Sequence, residues 1–154
     1  MALEVQTKTR RQALLMAGAA AFAAVLAPRM AFADVKAVED EIKKLYADKK
    51  MEQGKIKLDV PQIAENGLVV PITVEIDSPM TEADYVKAVH VFADGNPLPG
   101  IVSYRFTPEC GKANASARMR LAQTQNIICI AEMSNGTLFS AKAEVKVTIG
   151  GCGG

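Results

Sequence analysis

The chain has 154 residues, 49% hydrophobic and 23% charged, enough for one domain with a modest core. Its formal net charge is +1 at pH 7. No basic block or interleaved aromatic platform occurs, which excludes nucleic acid as a partner.

The first element is not part of that domain. "TRRQALLMAGAAAFAAVLAPRMAFA" places Arg10 and Arg11 before an apolar run from Ala13 to Ala27 and closes on Ala31-Phe32-Ala33. A charged region, an apolar region and a small-x-small end are the order of a secretory signal. The adjacent arginines after Thr9 suggest the twin-arginine export route, although Ala13 stands where a bulky Phe is usual. Read as a membrane anchor instead, Ala13–Ala27 is short of the roughly 20 residues a span needs. Residues 1–33 are thus expected to be a cleavable signal, and the mature chain to be soluble in the periplasm with no membrane contact. The signal holds four of the chain's 18 Lys/Arg and one of its 17 Asp/Glu, leaving 14 basic and 16 acidic residues. A slightly acidic mature chain is a poor match for an anionic membrane surface.

Next, "DVKAVEDEIKKLYADKKM" spaces Val35, Val38, Ile42 and Leu45 by three and four residues. This predicts an amphipathic helix, to be packed on its own domain or docked on a partner. After Gly54 the period changes to two. "KIKLDV" and "LVVPITVEI" read as strands, with Glu65-Asn66-Gly67 and Asp77-Ser78-Pro79 as turns. Pro71 offers no ladder donor and predicts an edge or a bulge. "DYVKAVHVFAD", "GIVSYRF", "NASARMRLA" and "NIICIAEM" follow as strands, the first two separated by Asp94-Gly95-Asn96-Pro97. Asn135-Gly136 is a hairpin signal. In the last strand Phe139, Ala141, Ala143, Val145, Val147 and Ile149 alternate with Ser140, Lys142, Glu144, Lys146 and Thr148, the pattern of a half-buried antiparallel strand. About seven short strands predict an all-β, immunoglobulin-like antiparallel sandwich over residues 34–149, with the helix at its N-terminus and a flexible tail, 150–154, at its end.

Few residues offer chemistry. His90 is the sole histidine and lies mid-strand in "KAVHVF"; it reads as a strand histidine partly covered by neighbours, not as a catalytic base. Structural zinc takes four Cys or His ligands, and the chain has four such residues in total, dispersed. No glycine-rich phosphate loop opens a helix. These patterns predict no enzyme, no cofactor and no metal. Cys110 and Cys129 are a candidate disulfide in an oxidising compartment, closing a loop worth about 3 kcal/mol. The alternative is two separate thiols packed as small hydrophobes.

Cys152 differs. It lies in the terminal "KVTIGGCGG", flanked by Gly150 and Gly151 on one side and Gly153 and Gly154 on the other. Glycine loses the most backbone freedom on ordering, so the segment is expected to stay mobile. Fully extended, it spans about 17 Å at roughly 3.4 Å per residue. Its neighbours supply no base, cation or helix N-terminus to ionise the thiol, whose ordinary pKa is about 8.5. An accessible, unactivated thiol on a thin arm suits a covalent carrier whose chemistry occurs in another protein's active site.

At these residues a resemblance appears. "VKVTIGGCGG", preceded by "RMRLAQTQNIICIAEMSNGT" and a twin-arginine-type signal, resembles the SoxY family, the sulfur-carrier subunits of the bacterial thiosulfate-oxidising Sox system. The resemblance spans essentially the whole chain, and the terminal GGCGG is its specific mark. It implies that Cys152 is the covalent attachment point. It further implies a SoxZ-like partner subunit, as a heterodimer or heterotetramer. Transient visits to SoxAX-like haem, SoxB-like manganese and SoxCD-like enzymes are implied as well. Cys110 and Cys129 are not required by the family pattern, so no pairing follows from the resemblance. Two competing readings differ in what they require. An exported module that dimerises through Cys152 needs only the thiol, whereas a thiocarboxylate carrier using the Gly154 carboxylate needs ATP.

Overall fold

The computed structural model describes residues 35–151. The expected signal segment 1–33 lies outside the described residues, as do Cys152, Gly153 and Gly154. The predicted helix forms as α1, Val35–Tyr46. It packs on its own domain and buries Val38 and Tyr46, with Ile42 between them, against Phe92, Ile130 and Leu138. The i, i+4, i+8 phase differs from the predicted stripe: Val35 and Leu45 are half exposed, at 52% and 50%. The aromatic ring of Tyr46 takes the place read for Leu45. Its hydroxyl is buried with no partner among the described residues, and burial raises its pKa above the ordinary tyrosine value.

Nine strands follow among the described residues. They are β1 Met51–Gln53, β2 Ile56–Asp59, β3 Ile63–Asn66, β4 Val70–Ile76, β5 Val86–Ala93, β6 Gly100–Arg105, β7 Ala113–Met119, β8 Gln125–Met133 and β9 Leu138–Ile149. A six-stranded sheet runs β1-β9-β8-β5-β6, with β3 beside β9, and a three-stranded sheet runs β2-β4-β7. The apolar faces of both meet in one core. Ile72, Val74 and Ile76 come from β4, Val89 and Val91 from β5, and Ile127, Cys129 and Ala131 from β8. The expected layering is therefore present, with one departure from an all-antiparallel pattern: β1 and β3 both pair with β9 in parallel. Glu65 and Asn66, read as turn residues, belong to β3, and the turn begins at Gly67.

β5 and β8 are covered on both faces, by the small sheet on one side and α1 on the other. That is why they read as nearly continuous apolar runs, a pattern that two-sided burial produces. Pro71 sits in the middle strand of the three-stranded sheet, yet β2 reaches only as far as Thr73. At Pro71 the strand is locally an edge, so its missing N–H costs the ladder nothing on that side. The Asn135-Gly136 hairpin forms as read. Gly136 has φ 82°, Met133 N–H donates to the Thr137 carbonyl at 2.9 Å, and the Asn135 side chain accepts from Thr137 N–H at 2.9 Å.

Candidate functional site

The site is built where β9 ends. Beyond Val145 the strand outruns β8 and keeps only β3 as a neighbour, in the register Asn66↔Ile149. Ile149, predicted to face the core, is consequently 67% exposed. The chain does not leave the body there. Gly67 N–H donates to the Ile149 carbonyl at 2.7 Å, Leu121 N–H donates to the Gly67 carbonyl at 2.8 Å, and Gly151 N–H donates to the Leu121 carbonyl at 2.8 Å. Three segments distant in sequence thus interlock through backbone alone.

Contact this close needs residues without side chains. A Cβ on Gly150 would overlap the Ala122 carbonyl, and one on Gly151 would overlap the Gly67 carbonyl. A Cβ on Gly67 would overlap the Leu121 carbonyl. These contacts correct the expectation of a free segment at Gly150 and Gly151: both are docked against the body, and the rest of the expected arm 150–154 lies outside the described residues. Cys152 follows immediately, outside the described residues with Gly153 and Gly154. Leu68 and Val69, next to Gly67, are 47% and 60% exposed, so apolar side chains stand exposed on both chain segments that meet here, with Ile149 on the other.

A buried polar network holds the shelf beneath the glycines. Gln125, 4% exposed, accepts from Gly95 N–H at 2.7 Å and donates to Asn96 Oδ1 at 2.9 Å. Asn96 Oδ1 also accepts from Ala122 N–H at 3.0 Å, while Asn96 Nδ2 donates to the Arg120 carbonyl at 2.8 Å. Thr124 Oγ1 adds a link to β9 by accepting from Val147 N–H at 3.0 Å. The loop between β7 and β8 is therefore tied to the β5–β6 turn on one side and to β9 on the other. Asn96 and Gln125 were not read as site residues. Asn96 appeared only as part of a turn signal.

The other predicted residues lie elsewhere. Cys110 sits in a short 3-10 turn, Pro108–Cys110, and is exposed, whereas Cys129 is buried; both are free. The candidate disulfide is not formed, and the reason is positional. Cys129 is mid-strand, between Val91 and Ala141 on the neighbouring strands, with its thiol in the inter-sheet core, not at a strand end. Burial pushes that thiol up to about 12. The folded state therefore favours the neutral form, and the stabilising effect is complete below the unfolded pKa near 9. It declines as pH rises from there toward the folded value, by up to about 1.4 kcal/mol per pH unit. Urea midpoints measured at pH 8 and pH 10 should fall accordingly in the parent, and Cys129→Ala should flatten that part of the profile.

His90 is a covered strand histidine, as read. Its Nδ1 lies 2.8 Å from Ser103 Oγ, its ring meets Tyr46 edge-on at 5.8 Å between centroids, and burial lowers its pKa. Among the described residues no group of three or more His, Cys, Asp or Glu is placed to hold a metal ion. No described helix is long and apolar enough to cross a membrane. A hollow of about 430 Å³ lined by Lys55, Lys57, Glu75, Asp77 and Lys112 lies at the far end of the three-stranded sheet from Gly151. It has no part in the arm root.

Comparison with known proteins gives the family and the fold. Residues 42–152 match the family model described as sulfur oxidation protein SoxY. The solved structure of the sulfur carrier protein SoxY from Chlorobium limicola f. thiosulfatophilum is 31% identical, covers 75% of this chain and 100% of its own, and has a TM-score of 0.63. The superoxide reductase (neelaredoxin) from Ignicoccus hospitalis is 16% identical over 61% of this chain and 80% of its own, with a TM-score of 0.55. That second likeness concerns the fold alone. No curated protein matches the chain.

Proposed function

The chain belongs to the SoxY family of sulfur-oxidation proteins, and from this premise we propose that it carries sulfur covalently on Cys152 during thiosulfate oxidation in the periplasm. The observation that carries the proposal is the place of Cys152 in the chain. The family match runs through residue 152 itself, and the preceding Gly151 is docked against the Leu121 carbonyl. The signal-like segment 1–33 supports export.

Loading forms one S–S bond. Thiosulfate and the Cys152 thiol combine to give Cys152 Sγ–S–SO₃⁻, releasing one proton and two electrons. The electrons go to a haem-bearing partner of the SoxAX type. Water then displaces the terminal sulfone as sulfate, with two protons, in a SoxB-type hydrolase, and leaves a persulfide on Cys152. A SoxCD-type enzyme would take six electrons and six protons as three waters convert that persulfide to Sγ–SO₃⁻. A second hydrolysis returns the thiol. In each step this chain supplies attachment and delivery, and a SoxZ-like subunit completes the carrier.

Thiosulfate radiolabelled in its outer sulfur tests this. With the haem partner present, label should become protein-bound and be released by dithiothreitol. Binding of no label by protein whose thiol is free and whose partner is active would refute covalent carriage.

A further inference from the structure

We propose that Gly67, Gly150 and Gly151 form a backbone latch that makes Gly151, not Ile149, the pivot of the carrier thiol. This rests on the reading of Cys152 as the attachment point. The glycines on either side of the cysteine then have different roles. Those after it keep the tip thin, while those before it have no Cβ because the Gly67 and Ala122 carbonyls occupy that space. Their docking is specific: Gly151 N–H is bonded to Leu121, whose own N–H is bonded to Gly67, whose N–H is bonded to Ile149.

The latch sets the length of the leash. From a held Gly151, the Cys152 Cα is one peptide step of about 3.8 Å away. From a pivot at Ile149, three extended residues would carry it roughly 10 Å. A latched sulfur explores a much smaller volume, which raises its effective concentration for a docked enzyme, since tether length dilutes a linked group. An enzyme that engages the docked Gly151 also meets the Gly67–Leu68 backbone beside it. A single backbone hydrogen bond biases such an equilibrium only roughly fivefold, so a deep active site can still draw the arm free. Gly67, Gly150 and Gly151 are positioning residues and take no part in the chemistry.

The test uses the full chain with Cys110→Ser, which removes the exposed thiol of the body while Cys129 stays buried, so that label is directed to Cys152. A methanethiosulfonate nitroxide on Cys152 should give a restricted electron paramagnetic resonance spectrum. Gly151→Ala should collapse it to narrow lines, with a rotational correlation time shorter by about threefold, in proportion to the bias lost. Gly150→Ala, which meets Ala122 instead, should do the same, and Gly153→Ala should change little. In unlabelled chain carrying Cys110 and Cys152 unchanged, Gly151→Ala should lower kcat/KM for loading by the haem partner about tenfold. Its alkylation by iodoacetamide should keep the parent rate. Identical spectra for parent and both latch variants, or unchanged loading, would overturn the latch. So would a Gly151 amide that exchanges hydrogen at the free-peptide rate in the parent. The nitroxide and exchange readouts need no sulfur transfer, so their failure is distinct from a failure of the carrier reading.

Discussion

Cys152→Ser is expected to abolish thiosulfate oxidation by the reconstituted pathway, leaving only the rate without carrier. The substitution keeps size and polarity but replaces the sulfur proposed to form and release the S–S bond. A serine hydroxyl cannot hold sulfane sulfur in a reducible link, so loading fails before any later enzyme is engaged. Folding should be unaffected: among the described residues the last buried core residue is Val145, and the backbone bonds seen to dock the chain end involve Gly67, Leu121, Ile149 and Gly151, not Cys152. The parent melting temperature combined with no activity is the expected pair of results. A Cys152→Ser chain that folds and still sustains oxidation would refute the mechanism. If the chain acted only by dimerising through Cys152, the variant would lose dimers on non-reducing gels while oxidation continued.

Asn96→Ala should be the most damaging substitution at the arm root. It strips the acceptor from Ala122 N–H and Gln125 Nε2 and the donor from the Arg120 carbonyl. Unsatisfied buried groups cost about 1–3 kcal/mol each, and water entering the space recovers part of this. A net loss of roughly 2–4 kcal/mol is expected, lowering the melting temperature by about 10 °C or more. Because Ala122 and Leu121 form the shelf for Gly150 and Gly151, the Gly151 amide should also exchange faster. Lys142→Ala, on the exposed face of β9, should stay within about 0.5 kcal/mol of the parent. A melting temperature for Asn96→Ala equal to that of Lys142→Ala would show that the network does not hold the loop.

What could be read in the sequence followed from how each segment is buried. β9 was legible because one face meets the core and the other meets water, so charge and apolarity alternate. Its two ends were not legible. Leu138 turns toward α1, and Ile149 extends past its neighbour β8; both depend on where other strands stop. β5 and β8 were found as strands, but their second covered face was hidden, since an apolar run does not say what lies on each side. The helix was evident while its phase was not, because Tyr46 can present a ring as readily as Leu45 presents an isobutyl group. β1 and β3 pair in parallel with a strand far along the chain. Local periodicity carries no trace of that.

The candidate site divides in the same way. Cys152 stands out by its setting, and the family resemblance on those residues agrees with the match through residue 152. The roles of its glycines could not be separated. A missing side chain serves both a mobile tether and a tight backbone contact, and the partners at Gly67, Leu121 and Ala122 are remote in sequence. The Cys110–Cys129 pairing failed for a related reason: the strand register that sinks Cys129 into the core is a property of the assembled sheet.

Covalent carriage is tested most directly by mass spectrometry of the C-terminal peptide from protein isolated out of cells oxidising thiosulfate. That peptide should bear persulfide or thiosulfonate on Cys152, and dithiothreitol should remove the added mass. Unmodified Cys152 alone, in cells whose partner enzymes are active, would contradict the account.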